Sequence, residues 1–277
     1  MRRIERSGAR HRETAPTAAC RFGRVTALLI ILSHMVVWPT TVWSQSRNAQ
    51  TGDPPIRTES KEVRQIVTFL FEPSRLAEAM AIYQQQLVPI YSDVPSLLRF
   101  RGFREAESPE PLDLVVVSSY RGMSGMDNAN EALRRVGSSG QSVFALYGTV
   151  SAMTQTHHDQ FVEMIAVLSD TVRSAAALTV FEYTQVTPGS HARFETLLRT
   201  RVRPFEQVNQ LVQWSETGRL LVSDGWDYLR MYGIRSLGDW HHYLQQTRSA
   251  SFQQEFGSLV VTRKTLLLRG DPRLSVR

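Results

Sequence analysis

The chain is nearly without cysteine. Of its 277 residues only Cys20 carries a thiol, which excludes a disulfide framework and any metal centre built on several thiolates. Lysine is almost missing as well: Lys61 and Lys264 are the only lysines among 32 basic residues. No HExxH, GxSxG, Walker or Rossmann pattern occurs, so the common zinc, serine-hydrolase, nucleoside-triphosphate and dinucleotide chemistries have no footing. A charge of one sign is also missing from the body of the chain. The formal charge is +6, but residues 1–44 hold seven arginines against Glu5 and Glu13, leaving only +1 for residues 45–277. That balance provides no basic field for a polyanion, and nucleic-acid binding is not expected.

What is present begins with an export signal. Residues 1–24 are basic and polar, Val25–Leu32 is apolar, Pro39 breaks the run, and Val42-Trp-Ser44 offers a cleavage site before Gln45. The apolar stretch is short for a membrane span, which needs about 20 residues. The reading is a signal peptide over 1–44, with the protein exported to the periplasm or medium; an uncleaved N-terminal membrane anchor is the alternative. Cleavage removes Cys20 and leaves a mature chain without a thiol. Residues 45–62, with Gly52 and Pro54-Pro55, read as a flexible linker.

Beyond the linker the chain matches itself. Pro73 and Pro89 bracket one helical stretch and Pro188 and Pro204 bracket another, at an offset of 115. Leu97-Leu-Arg-Phe100 matches Leu211-Val-Gln-Trp214 and Asp113 matches Asp227, both at an offset of 114. Strand-like runs follow both aspartates, and helices start near Asp127 and Asp239. Ser108–Pro111 is expected to turn the first hairpin and Glu216–Gly218 the second. Ser142–Met153 reads as an extra helix, and His158–Leu168 as either a helix or a closing strand. Each copy thus reads strand, helix, strand, strand, helix, strand, the split βαβ or ferredoxin-like unit. The expected fold class is α+β: two ferredoxin-like βαββαβ repeats, 63–172 and 173–271, packed sheet to sheet as an intramolecular α+β barrel, with 272–277 as a tail.

From Glu62 to about Asp271 the chain resembles the dimeric α+β barrel superfamily, which holds antibiotic-biosynthesis monooxygenase-like, EthD-like and NIPSNAP-like domains. The resemblance is carried by the proline-started first helix, the strand run ending at Tyr232, and Gly238-Asp-Trp-His-His-Tyr243 with Ser249 and Phe252. It implies a fold that hosts many activities, and none of its carriers is a catalytic motif.

In the strand 227–233, Tyr228, Arg230 and Tyr232 share one face by the period of two. An arginine between two tyrosines suits a pocket for an anionic aromatic ligand. A ferredoxin-like order also places Glu182 beside Arg230, so a cross-strand ion pair with tyrosine filling is the other reading. His157-His158 and His241-His242 are adjacent pairs, about 100° apart if helical, without the spacing of a two-ligand metal site. No metal is expected. The residues call for no cofactor, but the resemblance includes haem-binding members and keeps His241 or His242 in view as an axial ligand or proton shuttle; a solvated helix surface is the alternative. No catalytic set is recognisable. The expected function is an exported barrel that binds a small organic ligand or a partner protein in or beside the space between the sheets. The alternative is a monooxygenase-like or haem-handling enzyme using the same cavity. Because one chain supplies both halves, a monomer is expected, with homo-oligomers open.

Overall fold

Glu62–Phe71 forms β1, and its alternation sets the plan of the molecule: Ile66 packs into one core, Phe69 and Phe71 into another on the opposite face. The computed structural model describes residues 62–135, 143–170 and 176–276, all within one compact unit. Apart from Glu62, the expected leader and linker lie outside the described residues. After β1 come a helix in two parts, α1 (Leu76–Ile82) and α2 (Val88–Ser92), then β2 (Leu97–Glu107), β3 (Leu114–Arg121), α3 (Gly122–Arg135), α4 (Val143–Ser151) and β4 (Thr154–Met164). The same alternation recurs as β5 (Leu178–Val186), α5 (His191–Leu197), α6 (Arg203–Asn209), β6 (Val212–Val222), β7 (Tyr228–Ile234), α7 (Leu237–Ser249), α8 (Gln253–Leu259) and β8 (Val260–Val276). This resolves the open segment: Val143–Ser151 is the extra helix and Thr154–Met164 the closing strand.

Neighbouring strands are antiparallel throughout and close into a barrel in the order β1-β3-β2-β8-β5-β7-β6-β4. Around the ring, β4-β1-β3-β2 and β8-β5-β7-β6 have the same order, and they meet at the seams β2–β8 and β4–β6. Strands β3, β5 and β7 accordingly have two dry faces, while much of β4 stays exposed. Ile66, Phe103, Val117, Phe181, Leu229 and Leu268 fill the barrel. Phe71, Leu97, Leu114 and Tyr120 face outward beneath the first set of helices. Tyr228 and Tyr232 do so beneath the second, against Phe194, Tyr243 and Phe252 of the helical layer.

The two halves repeat small details as well as order. Asp113 accepts the Phe71 N–H on Oδ2 at 2.8 Å and donates its own N–H to Phe69 O at 2.8 Å. Asp227 does the same to Val186 and Thr184, at 2.8 and 3.0 Å. Pro89 and Pro204 do not end their helices, contrary to the sequence expectation; the helices run on to Ser92 and Asn209. A proline removes an N–H and crowds the carbonyl four residues back. Both helices widen into one π-helical turn just before it, Tyr83–Leu87 and Leu198–Val202, where Val88 N–H reaches Tyr83 O and Arg203 N–H reaches Leu198 O.

Two further expectations are corrected. Glu216–Gly218 is not a turn but the middle of β6, which continues to Val222; the hairpin turns instead around Gly225, at φ +88°. Gly218 is there for close approach: a Cβ on it would lie 2.3 Å from Val162 Cγ1 and 2.9 Å from Glu163 O on the adjoining β4. Residues 272–276 are not a tail. Strand β8 bends where Asp271 binds the Arg273 backbone and guanidinium, buries Leu274 and pairs Val276 with Phe100.

Candidate functional site

Strand β7 presents Tyr228, Arg230 and Tyr232 on one face, but that face lies beneath the helices and not inside the barrel; Leu229 and Met231 face inward. The structure brings Glu182, Arg230 and Tyr232 together. Glu182 and Arg230 are register partners, with their charged ends 3.7 Å apart, and Tyr232 Oη donates to Glu182 at 3.3 Å. Helices complete the network: Glu206 of α6 accepts from Arg230 Nη2 at 2.6 Å and from Tyr243 Oη of α7 at 2.8 Å. The guanidinium lies over the Tyr232 ring, 4.9 Å from its centre. Burial works against the charge of Arg230, but Tyr232, Glu206, Tyr243 and Glu182 outweigh it and hold its pKa above the ordinary arginine value. Tyr228 belongs to a separate cluster: its hydroxyl donates to Glu195 at 2.7 Å, and Arg219 grips that carboxylate with two bonds of 2.6 Å. The face favoured by sequence is thus a set of paired buried charges joining helices to sheet, in which Arg230 Nε alone of these groups lacks a partner among the described residues.

His241 and His242 are exposed on α7, within bonding distance of Gln245 and Gln246 at 2.9 and 3.1 Å. Beneath them Trp240 and Tyr243 stack on each other at 5.3 Å and lean on Tyr232, so the layer is packed. A haem does not fit here: its ligand would point to solvent and its ring would have no slot. His157 and His158 are not helical but lie exposed on β4. Among the described residues no group of three His, Cys, Asp or Glu side chains is placed to hold a metal ion.

The barrel interior carries charge that sequence reasoning missed. Arg64 is buried at one end, where Nη1 and Nη2 bond the two oxygens of Glu216 at 2.9 and 3.0 Å and Nε bonds Glu62 at 2.7 Å. Arg99 and Arg101 stand two residues apart on the same face of β2, half-buried, beside a partly open void of about 20 Å³. Ser119, Thr179, Trp214 and Met231 line the same void, which has room for one water-sized group. Arg99 Nη1 is buried there with no hydrogen-bond partner among the described residues. Burial, with repulsion from Arg64, holds the pKa of Arg99 below the ordinary arginine value; burial, then Arg99 and Arg64, does the same to Arg101. The alternation Arg99-x-Arg101-x-Phe103 and the lone arginine in apolar β1 are the sequence signals that mark this end.

No family model matches the chain, and no curated protein matches its sequence. Solved structures do match in shape. A protein from Lactobacillus acidophilus NCFM provisionally named a monooxygenase superposes with a TM-score of 0.54 at 9% identity, over 78% of this chain and 96% of its own. An anthrone oxidase-like protein gives 0.52 at 10% identity, over 77% and 92%. Chlorite dismutase from Candidatus Nitrospira defluvii, in complex with imidazole, gives 0.53 at 11% identity, over 78% and 93%. At such identities the likeness is one of fold. The chain shares an α+β barrel fold with these structures, with the barrel closed within a single chain.

Proposed function

We propose that the chain is a small-molecule-binding barrel that takes its ligand at the arginine-bearing end of the interior. The observation that carries this reading is the buried Nη1 of Arg99, without a hydrogen-bond partner among the described residues, beside a void inside the barrel. In the layer between helices and second sheet Arg230 Nε also lacks a partner among the described residues, but its guanidinium is already bonded to Glu206 and lies over the Tyr232 ring. Export after cleavage near Ser44–Gln45 belongs to the same proposal. So does origin by duplication, supported by the two matching strand orders, the paired aspartate bonds and the two π-turn prolines. A protomer that closes its own barrel needs no second copy, and a monomer is part of the reading. Among the described residues no helix is long and apolar enough to cross a membrane.

The test joins native mass spectrometry of the protein from its own compartment with an oxygen electrode. A bound organic mass released stoichiometrically without turnover supports the proposal. Oxygen uptake with an aromatic substrate overturns it in favour of a second reading, oxidation at the same barrel end. The oxidising enzymes among the similar folds favour that second reading. In it, Phe103, Phe181 and Trp214 would have to give way to receive an electron-rich ring next to Arg99, since the void itself holds one water-sized group, and a substrate that stabilises its own carbanion would do most of the chemistry.

A further inference from the structure

Resting on the reading of the barrel end as a ligand site, we infer that the ligand enters as a monocarboxylate, its carboxylate held by Arg99 and Arg101 and its apolar remainder on Trp214 and Phe103. The first argument is charge. Among the described residues of this end, three guanidiniums, Arg64, Arg99 and Arg101, face two carboxylates, Glu62 and Glu216, leaving one positive charge over. Arg64 is not a free donor. Its bonds go to Glu216, Glu62 and, at 3.5 Å, Met231 Sδ, which makes it the scaffold on which the end of the barrel is built. Glu62 is the carboxylate whose field reaches both Arg99 and Arg101, and it is already engaged by Arg64 and Ser119. An arginine keeps its proton, so a half-buried guanidinium with an unpartnered N–H is relieved by an incoming anion and not by deprotonation.

The second argument is size and shape. A void of about 20 Å³ accepts a small planar head and no bulky one. A forked guanidinium matches the two oxygens of a carboxylate. A dianion would overshoot the single spare charge and bury an uncompensated one. The void is partly open, its part-exposed lining residues being Arg99 and Arg101, while the buried Phe103 and Trp214 line it within; Trp214 lies against Gly233, where even a Cβ would come within 2.1 Å of its Nε1. That flat indole provides a wall for the carbon next to the carboxylate.

The experiment is calorimetric titration of the mature protein with acetate, hexanoate and benzoate, each against its neutral amide, and with phosphate and chloride. The expected result is saturable one-to-one binding of at least one carboxylate, with its amide weaker by about 10- to 100-fold and with little competition from phosphate or chloride. Arg99→Gln is expected to weaken the carboxylate by a similar factor, and Arg269→Gln, on exposed β8, to leave it unchanged. Should Arg99→Gln fail to fold, Arg99→Lys keeps the charge and loses the fork, and an intermediate affinity is expected. Equal binding of acid and amide, or tighter binding of phosphate or chloride, overturns the monocarboxylate while leaving the site in place. Binding of neither acids nor amides overturns both the inference and the site it rests on.

Discussion

Arg230 shows how one residue supports two opposite stories. Between two tyrosines on a strand it looks like an anchor for a ligand; in place, Glu206 and Glu182 have already taken its charge. Removing one member of such a buried set leaves the others uncompensated. Arg230→Ala is therefore expected to cost about 3–5 kcal/mol of stability, read from denaturant unfolding, and to leave carboxylate affinity unchanged in the fraction that folds. The Glu182–Arg230 pairing was legible, because strand order and a period of two place them side by side. Which face they occupy was not. Both faces of these strands are dry, so alternation alone cannot separate the barrel interior from the layer under the helices. For the same reason Arg64 in β1 and Arg99 and Arg101 in β2 passed as ordinary strand residues, since each needs a partner from a distant strand to become a site.

Elements were legible where punctuation and periodicity agreed and obscure where a residue has two uses. Proline marked both first helices, yet Pro89 and Pro204 sit inside them, because a widened turn removes the clash that a regular helix would suffer. Gly218 reads as a turn residue in sequence, while its role is to let β4 lie close to β6. Gly218→Ala must push against Val162 and the Glu163 carbonyl, and a loss of about 1–3 kcal/mol is expected in the denaturation midpoint. For His157 and His158 the sequence left helix and strand both open; they stand on a strand, where Asp159 comes within 3.7 Å of His157 and Asp224 within 3.7 Å of His158. The exposure of that stretch hides the alternation by which a strand is usually recognised.

At the scale of the whole molecule, closure was expected from the internal match, and the ring of eight strands follows it. Static light scattering of the mature protein should give the mass of one chain; an obligate dimer would contradict the monomer proposed above. Acid should weaken the fold early. Burial alone would raise Glu62, but Arg64, Arg99 and Ser119 together hold it below its ordinary 4.5, while Arg273 holds Asp271 below its ordinary 3.8. Carboxylates lowered in this way add stability that is present above those values and lost as pH falls through the depressed ones. The melting temperature should accordingly drop with pH below about 4, and a flat profile there would remove these two pairs from the account. Strand β8 bears on how the molecule is made. It is the last of the eight in chain order, and it alone fills the gap between β2 and β5. Until residue 276 leaves the ribosome the ring stays open, with its inner faces uncovered. The first seven strands thus cannot form a complete barrel by themselves, and the molecule's innermost packing waits on its eighth strand.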